Sequence, residues 1–141
     1  ISALDVSIQS QIINLLEDLQ DERDLTYLFI THDLATAKYL CNRIAIMYLG
    51  RIIEIGERDE IFLHPHHPYT KALLNAVPVP DPSQRRTEEV AKGEIPSAIN
   101  PPSGCHFHPR CPYAIERCKE GRPPFKEIAP GHRSACILDF D

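Results

Sequence analysis

Neither half of this sequence carries an excess of basic charge. Residues 1–77 hold 6 Lys and Arg against 11 Asp and Glu, and residues 78–141 hold 9 of each. That balance excludes nucleic acid as a partner. No apolar run approaches the length of a membrane-crossing helix. There is no internal repeat and no low-complexity tract. A Gly-x-x-x-x-Gly-Lys-Ser/Thr loop, which would cradle phosphates, is missing. So is an initiating methionine: the chain opens directly in Ile1-Ser2-Ala3-Leu4-Asp5. That opening predicts a chain that begins inside a larger domain. Proline is scarce at first and then abundant, with 11 of 13 at or after Pro78. A boundary near Val77 is therefore predicted, between a regular α/β part (1–77) and an irregular, proline-punctuated part (78–141).

What is present is ordinary for a globular protein. Apolar residues make up 43% and charged residues 25% of 141, enough for one domain with a modest core. Asp5 can cap a helix starting at Val6. Ile8, Ile12, Leu15, Leu16 and Leu19 recur at helical spacing after it. The charged run Asp21-Glu22-Arg23-Asp24 predicts the loop that ends this helix. Thr26 to Ile30 is a short apolar run, the pattern of a parallel strand buried on both faces. It stops at Thr31-His32-Asp33. Asp33 can cap a second helix with Leu34, Ala37, Leu40 and Cys41 on one face. Arg43 to Tyr48 and Arg51 to Ile55 read as strands joined by a tight turn at Leu49-Gly50. A short helix is predicted over Glu57–Leu63. The His64-Pro65-His66-His67-Pro68 break then leads into a helix over Tyr69–Val77, with Pro68 in its first turn.

Three places carry candidate chemistry. His32 stands at the carboxyl end of the predicted strand, where open parallel sheets bind ligands. It also reads as a plain hydrogen-bonded histidine. His64, His66 and His67 do not share one face of a helix or strand, so a proline-fixed turn outweighs a metal site. Cys105, Cys111, Cys118 and Cys136 follow a C-x5-C-x6-C-x17-C pattern. Prolines and Gly104 bend the backbone around them and leave N–H groups free to point at sulfur, which suits a thiolate-held iron–sulfur cluster. Structural zinc is the alternative, although its cysteines usually come in closer pairs. Disulfides are a third reading. Cys41 lies apart and reads as a core residue.

Ser2-Ala3-Leu4-Asp5, Leu28-Phe29-Ile30-Thr31-His32-Asp33 and Met47-Tyr48-Leu49-Gly50-Arg51-Ile52-Ile53-Glu54-Ile55-Gly56 together resemble the last third of an ABC-transporter ATPase subunit, a P-loop NTPase. His64-Pro65-His66-His67-Pro68-Tyr69-Thr70 and the cysteine-bearing tail narrow the resemblance to the oligopeptide/dipeptide importer ATPases. It covers nearly the whole chain. The implied fold is α/β: the C-terminal part of the nucleotide-binding domain over 1–77, then an irregular cysteine-bearing extension over 78–141.

The resemblance also implies roles. Asp5 falls in the loop that crosses the ATPase dimer interface, besides its place as a helix cap. His32 matches the switch histidine that acts on the γ-phosphate. Cys105, Cys111, Cys118 and Cys136 match the ligands of a [4Fe-4S] cluster, and a reducing cytosol disfavours disulfides. The full-length subunit would use Mg-ATP, dimerise with a second ATPase subunit, identical or not, and drive transmembrane permease subunits. It would sit peripherally on the cytoplasmic face of the membrane. This chain, without Walker A and Walker B motifs, would be inactive alone. Two other readings remain: a stand-alone iron–sulfur or zinc-binding module of structural or redox use, and a regulatory piece that pairs with a partner chain.

Overall fold

A hairpin in the middle of the chain sets the positions of everything after it. The computed structural model describes residues 6–77, 91 and 93–139, with side chains from Gln11 onward. Strand β1 (Arg43–Tyr48) turns back into β2 (Arg51–Glu57), as the sequence predicts. Leu49 and Gly50 both take positive φ, 42° and 76°, matching the twist of a two-residue hairpin. β1 alternates cleanly, with Ile44, Ile46 and Tyr48 buried and Arg43, Ala45 and Met47 exposed. β2 does not alternate. Met47 faces Ile52, but Ile46 faces Glu54, so Ile53 is an extra residue in the ladder. Such a bulge breaks the two-residue period, and it turns both Ile53 and Glu54 inward.

Helix α3 (Arg58–Leu63) follows at once and buries Ile61 completely. Helix α4 spans Pro68–Asn75, with Pro68 at its start and His67 as its N-cap. Beyond Pro78 the sequence predicts an irregular extension, and most of the described part is irregular. Two strands correct that expectation: β3 (Lys126–Ala129) and β4 (His132–Ser134). β4 inserts beside β2, pairing Glu54 with Ser134 and Ile55 with Arg133. The sheet order is β1-β2-β4-β3, antiparallel throughout. Hairpin and extension thus lie within one compact unit, Arg43–Asp141, and Ile1–Asn42 forms another.

In that other unit α1 spans Val6–Arg23 and α2 spans Leu34–Leu40. Three residues of the predicted charged loop, Asp21 to Arg23, are helical; only Asp24 leaves the helix, at φ 51°. The Leu25 N–H then bonds the Gln20 carbonyl at 3.1 Å, closing the helix end in a Schellman arrangement. The predicted strand at Thr26–Ile30 does not form. A strand exists only against a neighbour that takes its hydrogen bonds, and no described residue pairs with this run. Leu28 is 90% and Ile30 87% exposed.

The bulged Glu54 is fully buried and charged in character, so its oxygens need donors. Three are present. Oε1 accepts from the backbone N–H of His66 at 2.7 Å, and Oε2 from that of His67 at 2.9 Å. His132 Nε2 donates to Oε1 at 2.8 Å. Gly56 makes room for that ring, since a Cβ there would sit 3.1 Å from His132 Cδ2. His66 Nδ1 lies 3.1 Å from Ser134 Oγ. One carboxylate therefore ties β2 to the turn before α4 and to β4. Glu54→Ala would leave these donors buried and unmet, and removing one partner of such a network costs about 3–5 kcal/mol. Chemical denaturation of the variant is expected to show a loss of that size; a loss within 1 kcal/mol, roughly that of a surface change, would contradict the network.

Candidate functional site

Cys105, Cys111, Cys118 and Cys136 line one cavity, together with His67, Phe107 and His108. Pro68, Pro123, Ile137 and Leu138 complete its largely apolar wall. All four thiols are free, and Cys118 and Cys136 are buried. Each comes from a different local structure. Cys105 follows the Gly104 turn, and Cys111 caps the 3-10 turn His108–Arg110. Cys118 lies in α5 (Arg117–Glu120), and Cys136 comes two residues after β4.

Local geometry explains how they meet. The Cys105 N–H bonds the Cys118 carbonyl at 2.8 Å. Gly104 has φ +63°, and a Cβ there would fall 2.3 Å from the Cys118 carbonyl oxygen. Only glycine allows the two cysteine-bearing segments this close. Phe107, almost fully buried, sits between Cys105 and Cys111 in sequence. Its ring lies edge-on to Tyr48 (5.3 Å) and Tyr69 (5.4 Å) and 5.9 Å from His67. Tyr48 and Tyr69 are themselves 4.6 Å apart. Aromatic packing of this kind joins β1, α4 and the cysteine loop.

The electrostatics of the cavity oppose bare thiolates. Burial pushes the Cys111 thiol up to about 11, with Cys136, Cys105 and Cys118 adding to it. Cys136 is likewise raised to about 11, by burial and then by Cys105 and Cys118. Cys105 is raised by burial and by Cys118. Cys105, Cys111 and Cys136, each raised in this way, become thiolates together only around a positive group. Among the described residues, however, no three His, Cys, Asp or Glu side chains are gathered closely enough to hold a single metal ion.

His67 was missed as a site residue by sequence reasoning, and so was Glu54. His67 Nδ1 accepts the Tyr69 backbone N–H at 3.0 Å. Burial, reinforced by neighbouring His66, lowers the His67 imidazole to about 3. The signal was the His66-His67-Pro68-Tyr69 order itself, a cap residue ahead of Pro at the first helical position. His64 is exposed, and the three histidines form no common metal face.

His32 occupies an exposed bend before α2. Asp33 caps that helix as predicted, its Oδ1 accepting the Ala35 N–H at 2.9 Å and its Oδ2 the Thr36 hydroxyl. Thr31 Oγ1 accepts the Asp33 N–H at 3.0 Å. Asp5 lies outside the described residues. Cys41 is half-buried and separate from the other cysteines in sequence, and burial raises its thiol.

Comparison with known proteins gives the class first. Residues 53–118, from the β2 bulge to Cys118, match the family described as the oligopeptide/dipeptide transporter C-terminal region. Individual relatives match almost the whole chain. A Brucella ovis protein named for peptide import and ATP binding is 53% identical over 139 residues, 99% of this chain and 44% of its own length. The oligopeptide transport ATP-binding protein AppF of Bacillus subtilis is 54% identical over 140 residues, 98% of this chain and 43% of its own length. A Sinorhizobium fredii protein named for peptide ABC transport and ATP binding is 54% identical over 136 residues, 96% of this chain and 38% of its own. The chain spans less than half the length of these curated relatives.

The depressed His67 value fixes a pH dependence. The folded state holds the neutral ring, so the stabilisation is complete above the ordinary value of 6.5 and is lost as pH falls from 6.5 towards 3. Urea midpoints are expected to drop between pH 7 and pH 4, and to drop less in His67→Asn, which keeps a cap without an imidazole. Equal acid sensitivity in both proteins would exclude His67 as the cause.

Proposed function

We propose that this chain is the C-terminal part of the ATP-hydrolysing subunit of an ABC importer for peptides. One observation carries the reading: 53–54% identity, over nearly the whole chain, to proteins named for peptide transport and ATP binding. In this reading residues 1–77 close a nucleotide-binding domain and residues 78–141 form its extension. The phosphate loop and catalytic carboxylates of such a subunit lie outside this sequence. His32 and Asp5 are the contributions of this chain to the ATP site. His32 lies exposed, and a neutral imidazole there can donate to a γ-phosphate oxygen while contacting the catalytic carboxylate. Asp5 would act across the interface with a second ATPase subunit. Permease subunits would receive the motion of closure at the cytoplasmic face of the membrane. None of the described helices is long and apolar enough to cross the membrane, which accords with peripheral attachment.

The extension adds the second half of the proposal. Cys105, Cys111, Cys118 and Cys136 would hold a [4Fe-4S] cluster, which supplies a structural cross-link and a one-electron couple. Their shared, largely apolar cavity supports the reading that the four sulfurs serve one group. Metal binding then contributes folding free energy to a segment with few strands.

Two measurements test the two halves separately. In the full-length subunit His32→Ala is expected to lower ATP turnover roughly 10²-fold or more, with nucleotide affinity in calorimetry nearly unchanged. A variant with normal turnover removes His32 from the mechanism. Anaerobically purified subunit is expected to contain about four iron and four acid-labile sulfide per chain, lost on replacing any of the four cysteines by serine. Stoichiometric zinc without sulfide would replace the cluster by the alternative metal.

A further inference from the structure

Strand β4 joins the sheet along a short seam. Glu54 pairs with Ser134 and Ile55 with Arg133, and the Ala135 N–H donates to the Ile53 carbonyl at 2.7 Å just beyond them. In the sheet order β3 has β4 as its sole neighbour. The two strands form a hairpin of their own. It turns at Gly131, with φ 72°, and the Gly131 N–H closes it on Glu127 Oε1 at 3.0 Å. The β3–β4 hairpin is therefore fastened to the sheet along one edge.

Ionisable groups crowd that edge. Register sets Glu54, Ser134 and Lys126 in one row across β2, β4 and β3. His66 touches two members of the row. Its backbone N–H donates to Glu54 Oε1 at 2.7 Å, and its ring Nδ1 lies 3.1 Å from Ser134 Oγ. His66, Glu54 and Ser134 are all buried. The charged and titratable groups that face the ring come from every element around it. They are Glu54 on β2, Lys126 on β3, His132 on β4 and Lys71 on α4. Asp139, beyond β4, also acts on the ring and pairs with Lys126. Burial opposes a proton on His66 most. Glu54 favours one, but Lys126, His132 and Lys71 oppose it, so the imidazole is held below its ordinary value of 6.5.

We propose that His66 is an acid-operated latch: a proton taken up by its ring releases β3–β4 from β2 while the β1–β2 hairpin stays folded. In the closed seam an imidazolium would be shut from water beside the row that ends in Lys126. That cost vanishes once the seam opens and water reaches the ring. The closed state holds the neutral ring, so its contribution is complete above 6.5 and is lost as pH falls below it. Opening stays local because β1 and β2 share six registered pairs, whereas β2 and β4 share two. Cys136 follows β4 by two residues, so the latch also governs whether this cysteine stays with the other three.

Amide hydrogen exchange of the full-length subunit, read by mass spectrometry and normalised for the intrinsic effect of pH, tests the latch. Between pH 7.5 and pH 5, peptides covering 126–136 are expected to lose protection several-fold, and peptides covering 43–48 to keep theirs. His66→Gln keeps a polar group without an imidazole and is expected to abolish the acid response of 126–136. Equal protection at both pH values, an equal acid response in the variant, or loss of protection in 43–48 together with 126–136 would each overturn the proposal. Should the variant fail to fold, slow exchange of the His66 ring C2 hydrogen in the wild type decides. That ring is expected to titrate below 6.5, and titration at or above this value overturns the latch.

Discussion

A carboxylate shut away from water must be met by donors, and the unit from Arg43 onward is arranged around meeting one. Glu54 takes two backbone N–H groups and an imidazole N–H from three separate segments. The contact exists because β2 bulges at Ile53; without the extra residue Glu54 would share the outward face of Ile52. From this one contact the order of the remainder follows. The two amides belong to His66 and His67, so the start of α4 is fixed relative to the hairpin. The imidazole belongs to β4, so the extension is fixed to the same place. Isolated surface pairs such as Arg43–Glu57, at 3.4 Å and more than half exposed, add little beside it.

The cysteine cavity inherits its position from this core. His67 holds Glu54 with its backbone and lines the cavity with its ring. Phe107 packs on Tyr48 and Tyr69 and carries Cys105 and Cys111 on either side. Gly104 brings Cys118 against Cys105. The cavity is thus supported by the sheet and by aromatic packing.

Sequence patterns revealed the parts whose signals are local. Leu49-Gly50 between two apolar runs announced the hairpin, Asp33 announced a cap, and Pro68 announced the start of α4. Other features depended on distant partners. Glu54 sits between Ile53 and Ile55, and alternation alone would place it in solvent; a bulge has no signature in residue type. β3 and β4, of four and three residues, are too short for periodicity to register. Thr26–Ile30 has the composition of a buried strand, yet composition supplies no neighbour to pair with. The cap role of His67 required knowing that its ring turns back onto the Tyr69 N–H.

The span between Glu54 and His132 is 78 residues, and it imposes a schedule on synthesis. At about 5–20 residues per second, roughly 4–16 s pass between the ribosome adding the glutamate and adding its histidine partner. During that interval the hairpin and α4 can assemble, but the third donor to the carboxylate does not yet exist. β2 likewise waits with one edge open until β4 arrives to cover it. The sheet is therefore completed from its C-terminal side, late, by a strand of three residues. The nascent chain must stay clear of other exposed strand edges until then.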